Sequence, residues 1–262
     1  MTGPRGYGRM AGKGESAMQK LPKILVVNDD GIEAEGLRLL AAAAASLGEV
    51  RVVAPDRQCS AMSHRLSIYE PMTLREEAYP VPVAGAWRIG GTPADCVKVA
   101  LGRLLPEKPD FVFSGVNRGW NAGYDVAYSG TVAAAMEAVM QGVPAIAFSV
   151  EYPENYESAA ALLPALAREL MGKDPGRGAI WNVNIPSCPL SELKGVLYGR
   201  RVAPLQLYAD GFHEERGENG ELLLWQRGTR VDPASVPEGT DLAALLAGYV
   251  SVGKLRAVAI DG

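Results

Sequence analysis

The sequence predicts an α/β fold, a doubly wound and mostly parallel sheet that carries a C-terminal projecting β-hairpin and a C-terminal helix. Three observations predict it. Short apolar runs alternate with Ala/Leu-rich segments through residue 185, the pattern of repeated βα units. Several of those runs end in polar residues, as buried parallel strands do. The chain is also long and apolar enough, at 262 residues and 48% hydrophobic, to bury a large core without disulfides or a structural metal.

The elements follow in order. Residues 1–20 lack an apolar signal-like stretch and read as a flexible tail, with one α/β domain over 21–262. Residues 23–28 (KILVVN) form the first strand. Residues 33–47 form a helix that Gly48 stops. Residues 50–54 are a second strand ended by Pro55, and 55–68 a polar loop. Thr92 caps a helix over 92–105, with Pro93 at its first position. A strand over 110–114 then leads into a glycine-rich loop, 115–130. Helix 131–141, strand 144–149, helix 156–171 and strand 179–185 continue the alternation. Residues 196–229 read as paired strands around Gly217–Gly220, a projecting hairpin. A short helix at 241–247 and a strand at 249–252 close the chain.

Composition excludes some classes. A net charge of −4 gives no broad footprint for duplex nucleic acid. The apolar runs fall far short of the roughly 20 residues a membrane span needs. Cys59, Cys96 and Cys188 are widely spaced and form no CxxC, so reduced thiols and a cytoplasmic location are expected.

In open α/β sheets, ligands bind beyond the carboxyl ends of the strands. The first strand delivers Asn28-Asp29-Asp30-Gly31, the second Pro55-Asp56 and then Ser60, the third Ser114-Gly115-Val116-Asn117. Asp29, Asp30, Ser60 and Asn117 are hard oxygen donors, suited to Mg²⁺ or Mn²⁺ rather than zinc. Taken alone, Asp29-Asp30-Gly31 reads equally as a capping turn. Adjacent carboxylates nonetheless repel, which makes a cation a natural partner. Ser129-Gly130-Thr131 opens an Ala-rich helix, where free N–H groups, two hydroxyls and the helix dipole can hold a phosphate. An ordinary N-cap is the plainer alternative.

Neither GxGxxG nor GxxxxGK[ST] follows the first strand. An aspartyl-phosphate mechanism would place its nucleophile at Asn28, whose carboxamide cannot serve. Metal-activated water is the better proposal.

The runs ILVVNDDGIEAEGL, VVAPDRQCSAMSHRLS, GTPADCVKVAL, SGVNRGWNAGYDVAYSGTVAAAMEA, NVNIP and GTDLAALLAGYVSV resemble, in this order, the motifs of the SurE family of metal-dependent nucleotidases. The resemblance covers about residues 23–252. It implies a Rossmann-like SurE fold and hydrolysis of nucleoside 5′- and 3′-monophosphates, with one divalent ion per subunit. It places the metal ligands on Asp29, Asp30, Ser60 and Asn117, with catalysis resting on Asp29 and Asp30. The phosphate contacts fall on Asn121, Ser129, Gly130 and Thr131. It also implies a homodimer or homotetramer, for which the 196–229 hairpin is the natural contact. A broader phosphatase acting on polyphosphate, or a non-catalytic nucleotide sensor, are the alternatives; the four intact metal donors argue against the sensor.

Four further features carry expectations. His64 reads as loop surface or as a catalytic or substrate contact. Trp120 and Tyr124 read as base-stacking rings or loop packing. Asn182 and Asn184 read as backbone-bonding side chains that shape the pocket wall. His213, beside Glu214 and Glu215, reads as a solvated hairpin residue.

Overall fold

The structure, a computed structural model, describes residues 21–257; the expected 1–20 tail lies outside the described residues. The strands are β1 (Lys23–Val27), β2 (Glu49–Pro55), β3 (Leu74–Glu76), β4 (Gly85–Ile89), β5 (Phe111–Arg118), β6 (Ala145–Val150), β7 (Ala179–Ile185), β8 (Val196–Arg200), β9 (Tyr208–Ala209), β10 (Phe212–Arg216), β11 (Leu222–Gln226), β12 (Thr229–Arg230) and β13 (Val250–Arg256). The helices are α1 (Glu35–Ala45), α2 (Pro93–Val99), α3 (Gly130–Met140), α4 (Glu157–Met171) and α5 (Asp241–Leu246). A nine-stranded sheet runs in the order β3-β4-β2-β1-β5-β6-β7-β13-β8. It is parallel from β4 to β7, and β3 and β13 join antiparallel to β4 and β7.

Strand β1 shows why both faces are covered. Ile24 and Val26 point into a layer with Leu37, Leu40, Leu163 and Leu170 of α1 and α4. Leu25 and Val27 point into the opposite layer, with Cys96, Val97, Val132 and Ala135 of α2 and α3. Alternation along one strand thus feeds two cores. A third cluster, Trp120, Ala122, Ala203, Leu207, Val236, Leu242 and Leu245, joins the C-terminal segment to the loop after β5. Asp241 ties that junction together, accepting from Gly123 N at 3.0 Å and Ala203 N at 2.9 Å.

The strand order places the site. From β1 the chain winds outward to β2 and β4, then returns to β5 on the other side of β1 and winds to β6 and β7. The reversal lies between β1 and β5, and the crevice at such a switch point is where ligands bind.

Several boundaries differ from the sequence reading. The third strand runs four residues past Ser114, because Gly115 adopts φ +134° where a Cβ would meet Phe148 O at 2.2 Å. A register irregularity there keeps Asn117 paired with Ser149, so glycine marks a bulge rather than the strand's end. The helix over 92–105 is α-helical only to Val99 and widens to a π-helical turn over Ala100–Leu104, with Pro106 just beyond. β3 and β4, within 69–91, had no sequence assignment.

The hairpin reading of 196–229 needs correction. Val196–Arg200 is not part of a hairpin; it is an edge strand of the main sheet, parallel to β13. The projecting hairpin is β10–β11 alone, and β9 and β12 form a separate short ladder at its base. Alternation reveals a strand but not its partner, and here the partner lies some 50 residues later. His213 sits exposed on the hairpin, 3.3 Å from Glu215, as expected.

Candidate active site

The ends of β1 and β5, the loop after β2, and the start of α3 enclose a cavity of about 550 Å³, lined in part by Asp29, Ser60, Asn117, Asn121, Tyr128 and Ser129. Of the eight sequence-predicted residues, these include five; Asp30, Gly130 and Thr131 lie directly against them.

Asp29 is buried, and its Oδ1 accepts from the Thr131 hydroxyl at 2.5 Å. Burial, and then the charge of Asp30, push its carboxyl up from 3.8 to about 7, against the Thr131 hydrogen bond. Asp30 Oδ2 accepts from Arg118 N at 3.1 Å, which joins the ends of β1 and β5. Burial raises the Asp30 carboxyl as well, opposed by that N–H. Two adjacent carboxylates are thus held where ionising both is unfavourable without a cation.

Two neutral oxygen donors, Asn117 and Ser60, line the same cavity. Asn117 Nδ2 donates to Gly119 O at 2.8 Å, which leaves the carboxamide oxygen as its free end. Ser60 lies on the loop after β2, and its Oγ accepts from Gln58 Nε2 at 3.0 Å. That loop is fixed to the first strand end by Cys59 N, which donates to Asp29 O at 2.7 Å. Among the described residues, no three His, Cys, Asp or Glu side chains cluster as a metal centre. The set of two carboxylates, a carboxamide and a hydroxyl suits a hard divalent ion, not zinc.

The start of α3 forms another side of the cavity. Ser129 is its N-cap, with Oγ accepting from Val132 N at 3.1 Å, so the hydroxyl proton remains to donate outward. Gly130 is pressed against Asp29: a Cβ there would lie 2.9 Å from Asp29 Cβ. Thr131 turns its hydroxyl onto Asp29 rather than into the cavity. Asn121 is buried, with its N–H on Asn184 Oδ1 at 2.8 Å and its Nδ2 on Ser149 Oγ at 2.9 Å. Asn182 and Asn184 both donate to Asn121 O, the wall-shaping role expected of them.

The aromatic expectations divide. Trp120 lines the cavity but is packed in place, with Nε1 donating to Ile185 O at 2.8 Å and Arg230 over its ring at 5.7 Å. Tyr124 is exposed and is not part of the lining, whereas Tyr128 and Tyr208 are. His64 does not line the cavity either; it hydrogen-bonds to buried Glu137. Sequence reasoning missed the outer wall, Gln206, Tyr208, Asp210 and Gln226, which comes from the short ladder and the base of the hairpin. No local motif signals it.

Fold and site together define a class: a doubly wound α/β protein with a cluster of hard oxygen donors at its switch point and a helix start beside it. The profile of the family described as "Survival protein SurE" matches residues 24–204, more than half of the chain. The chain belongs to the SurE family. A protein named 5′-nucleotidase SurE from Clostridium botulinum (strain Kyoto / Type A2) is 39% identical, over 89% of this chain and 92% of its own length. The protein of the same name from Synechococcus sp. (strain JA-3-3Ab) is 38% identical, over 89% and 91%. The crystal structure of the SurE protein from Aquifex aeolicus matches with a TM-score of 0.77 at 36% identity, covering 90% of this chain and 93% of that one.

Proposed function

We propose that this protein is a 5′-nucleotidase: a metal-dependent phosphomonoesterase that hydrolyses nucleoside 5′- and 3′-monophosphates to nucleoside and phosphate. The observation that carries the reading is the placement of Asp29, beside Asp30 in the chain, directly against the start of α3, so that a cation and a phosphate would share one cavity. The 5′-nucleotidase names of the relatives support it.

One Mg²⁺ or Mn²⁺ per subunit, held by Asp29, Asp30, Ser60 and Asn117, would polarise the phosphoryl group and acidify the attacking water. The chain supplies the rest. Ser129, the Gly130 N–H and Asn121 hold phosphoryl oxygens and stabilise charge as it develops. Asp29 or Asp30 orients the water in line with the leaving oxygen and takes its proton. Thr131 acts through Asp29, fixing which carboxylate oxygen faces the cavity.

The outer wall favours nucleoside monophosphates over polyphosphate. It presents the carboxylates of Asp125 and Asp210, and the one arginine of the lining, Arg118, is paired with Glu154 at 2.9 Å. A polyanion would meet net negative charge there, whereas ribose hydroxyls and base amines are donors that carboxylates accept.

A phosphate-release assay on AMP, 3′-AMP, GMP and polyphosphate tests the reading, with EDTA and then Mg²⁺ or Mn²⁺ added back. Metal-restored release from the monophosphates is expected; no release from any of them with any divalent ion overturns it.

The exposed apolar side chains of the hairpin, among them Phe212, Leu224 and Trp225, support a homodimer or homotetramer formed through it. Cys59, Cys96 and Cys188 are all free thiols, which suits a reducing compartment, and we place the enzyme in the cytoplasm. No helix among the described residues is long and apolar enough to cross a membrane.

A further inference from the structure

Four carboxylates are buried among the described residues: Asp29, Asp95, Glu137 and Asp241. Asp29 belongs to the site, Asp95 completes the capping box of α2, and Asp241 joins the C-terminal segment to Gly123. Glu137 has no such task. It lies in the interior of α3, where an apolar residue would pack at lower cost. Its side chain is 5% exposed and meets partners from three places: His64 Nε2 at 2.9 Å, Lys98 Nζ at 3.3 Å and Gln141 Nε2 at 2.9 Å. Those contacts hold the carboxyl below its ordinary range although burial opposes them.

His64 is the informative partner, because it belongs to the loop that carries Ser60. That loop holds Ala61 and Ser63 at φ 56° and 51°, left-handed conformations that non-glycine residues disfavour. Such a backbone persists only where its surroundings impose it. Here Ser63 donates from its N–H to Tyr128 O at 2.9 Å and from its hydroxyl to Ala127 O at 2.8 Å. His64 then reaches Glu137 two turns along α3. The loop is therefore docked on the helix whose first turn faces the phosphate side of the cavity.

We propose that His64 and Glu137 are a positioning pair that docks the Ser60 loop on α3 and so sets the Ser60 hydroxyl relative to Asp29. The inference rests on the metal-site reading given above. Neither residue touches substrate; both act through the loop. Outer-shell contacts of this kind are worth roughly 10–100-fold in metal affinity or activity.

The test compares His64→Ala, His64→Gln, Glu137→Gln and Lys98→Ala with the parent chain. Mn²⁺ affinity is read by electron paramagnetic resonance and loop docking by the rate of tryptic cleavage after Arg57 and Arg65 in metal-free protein. His64→Ala is expected to weaken Mn²⁺ binding about tenfold, to lower kcat more than it raises KM, and to speed cleavage several-fold. His64→Gln keeps an amide donor within reach of Glu137 and is expected to restore most of each property. Glu137→Gln should fall between the two. Lys98→Ala removes a partner of the same carboxylate that does not belong to the loop, and should stay within about twofold of the parent. Parental Mn²⁺ affinity and cleavage rate in His64→Ala would overturn the positioning pair while leaving the metal site standing. A parent chain that binds no Mn²⁺ would instead overturn the metal-site reading and the inference built on it.

Discussion

The Thr131 hydroxyl donates to Asp29 Oδ1 at 2.5 Å across 102 residues of sequence. Through this bond the first turn of α3 fixes one oxygen of the buried carboxylate at the end of β1. Thr131→Val removes the donor with little change of volume. We expect roughly a hundredfold loss of kcat and 1.5–3 kcal/mol of stability, the scale for a hydrogen bond to a charged group. Thr131→Ser should recover most of both, measured by steady-state kinetics and urea unfolding.

Gly130→Ala tests the close approach of α3 to β1. The new Cβ would lie 2.9 Å from Asp29 Cβ and 3.1 Å from Asp29 Oδ2, so the carboxylate must move. Overpacking of this kind costs about 1–3 kcal/mol. Metal-activated turnover should fall far more than the melting temperature does; equal turnover to the parent would show that the contact yields freely.

The Asp29 carboxyl gives the metal-free protein a pH dependence of defined sign. With its folded value raised from 3.8 to about 7, the folded state keeps a proton that the unfolded chain releases. Stability is therefore highest below the unfolded value and declines as pH rises towards 7, by on the order of 4 kcal/mol in all. Thermal melts with EDTA should fall between pH 5 and pH 8, flatten in Asp29→Asn, and recover at pH 8 on adding Mn²⁺. Asp29→Asn should fold and lose nearly all activity.

Tyr208 lines the cavity and is half-exposed. Tyr208→Ala should raise KM for AMP about tenfold, the scale of one base–aromatic stack. It should leave kcat, and turnover of p-nitrophenyl phosphate, unchanged.

Asp241→Ala tests the junction between the C-terminal segment and the site loop. It strips the acceptor from the N–H groups of Gly123, Ala203 and Leu242. The expected loss is about 2–5 kcal/mol of stability by urea unfolding. Activity per folded molecule should also fall, because Gly123 opens the 3₁₀ turn that carries the lining residue Asp125.

The gathering of the oxygen donors and the α3 start at one cavity was legible in the chain because these groups are local to strand ends and one helix start. Asn28-Asp29-Asp30 follows directly on β1, Asn117 is the penultimate residue of β5, and Ser129-Gly130-Thr131 opens α3. Each is a short segment whose neighbours in sequence are also its neighbours in space. The role of Thr131 was less accessible, since its hydroxyl could face either the cavity or Asp29, and only the packing of α3 on β1 chooses. For His64 the sequence leaves loop surface and a catalytic or substrate contact open; its hydrogen bond to Glu137, 73 residues away, is not readable locally.

The sequence by itself determined the alternating sheet and helix layers, the convergence of four oxygen donors and the family. Periodicity and strand-end chemistry are local properties, and local properties can be read along a chain. Only the tertiary structure decided that β8 joins the main sheet beside β13, that Gly115 bends a strand instead of ending it, and that Gln206, Tyr208, Asp210 and Gln226 close the cavity. These are pairings between distant segments, selected by which surfaces fit once the core has formed, and no window of sequence contains both partners.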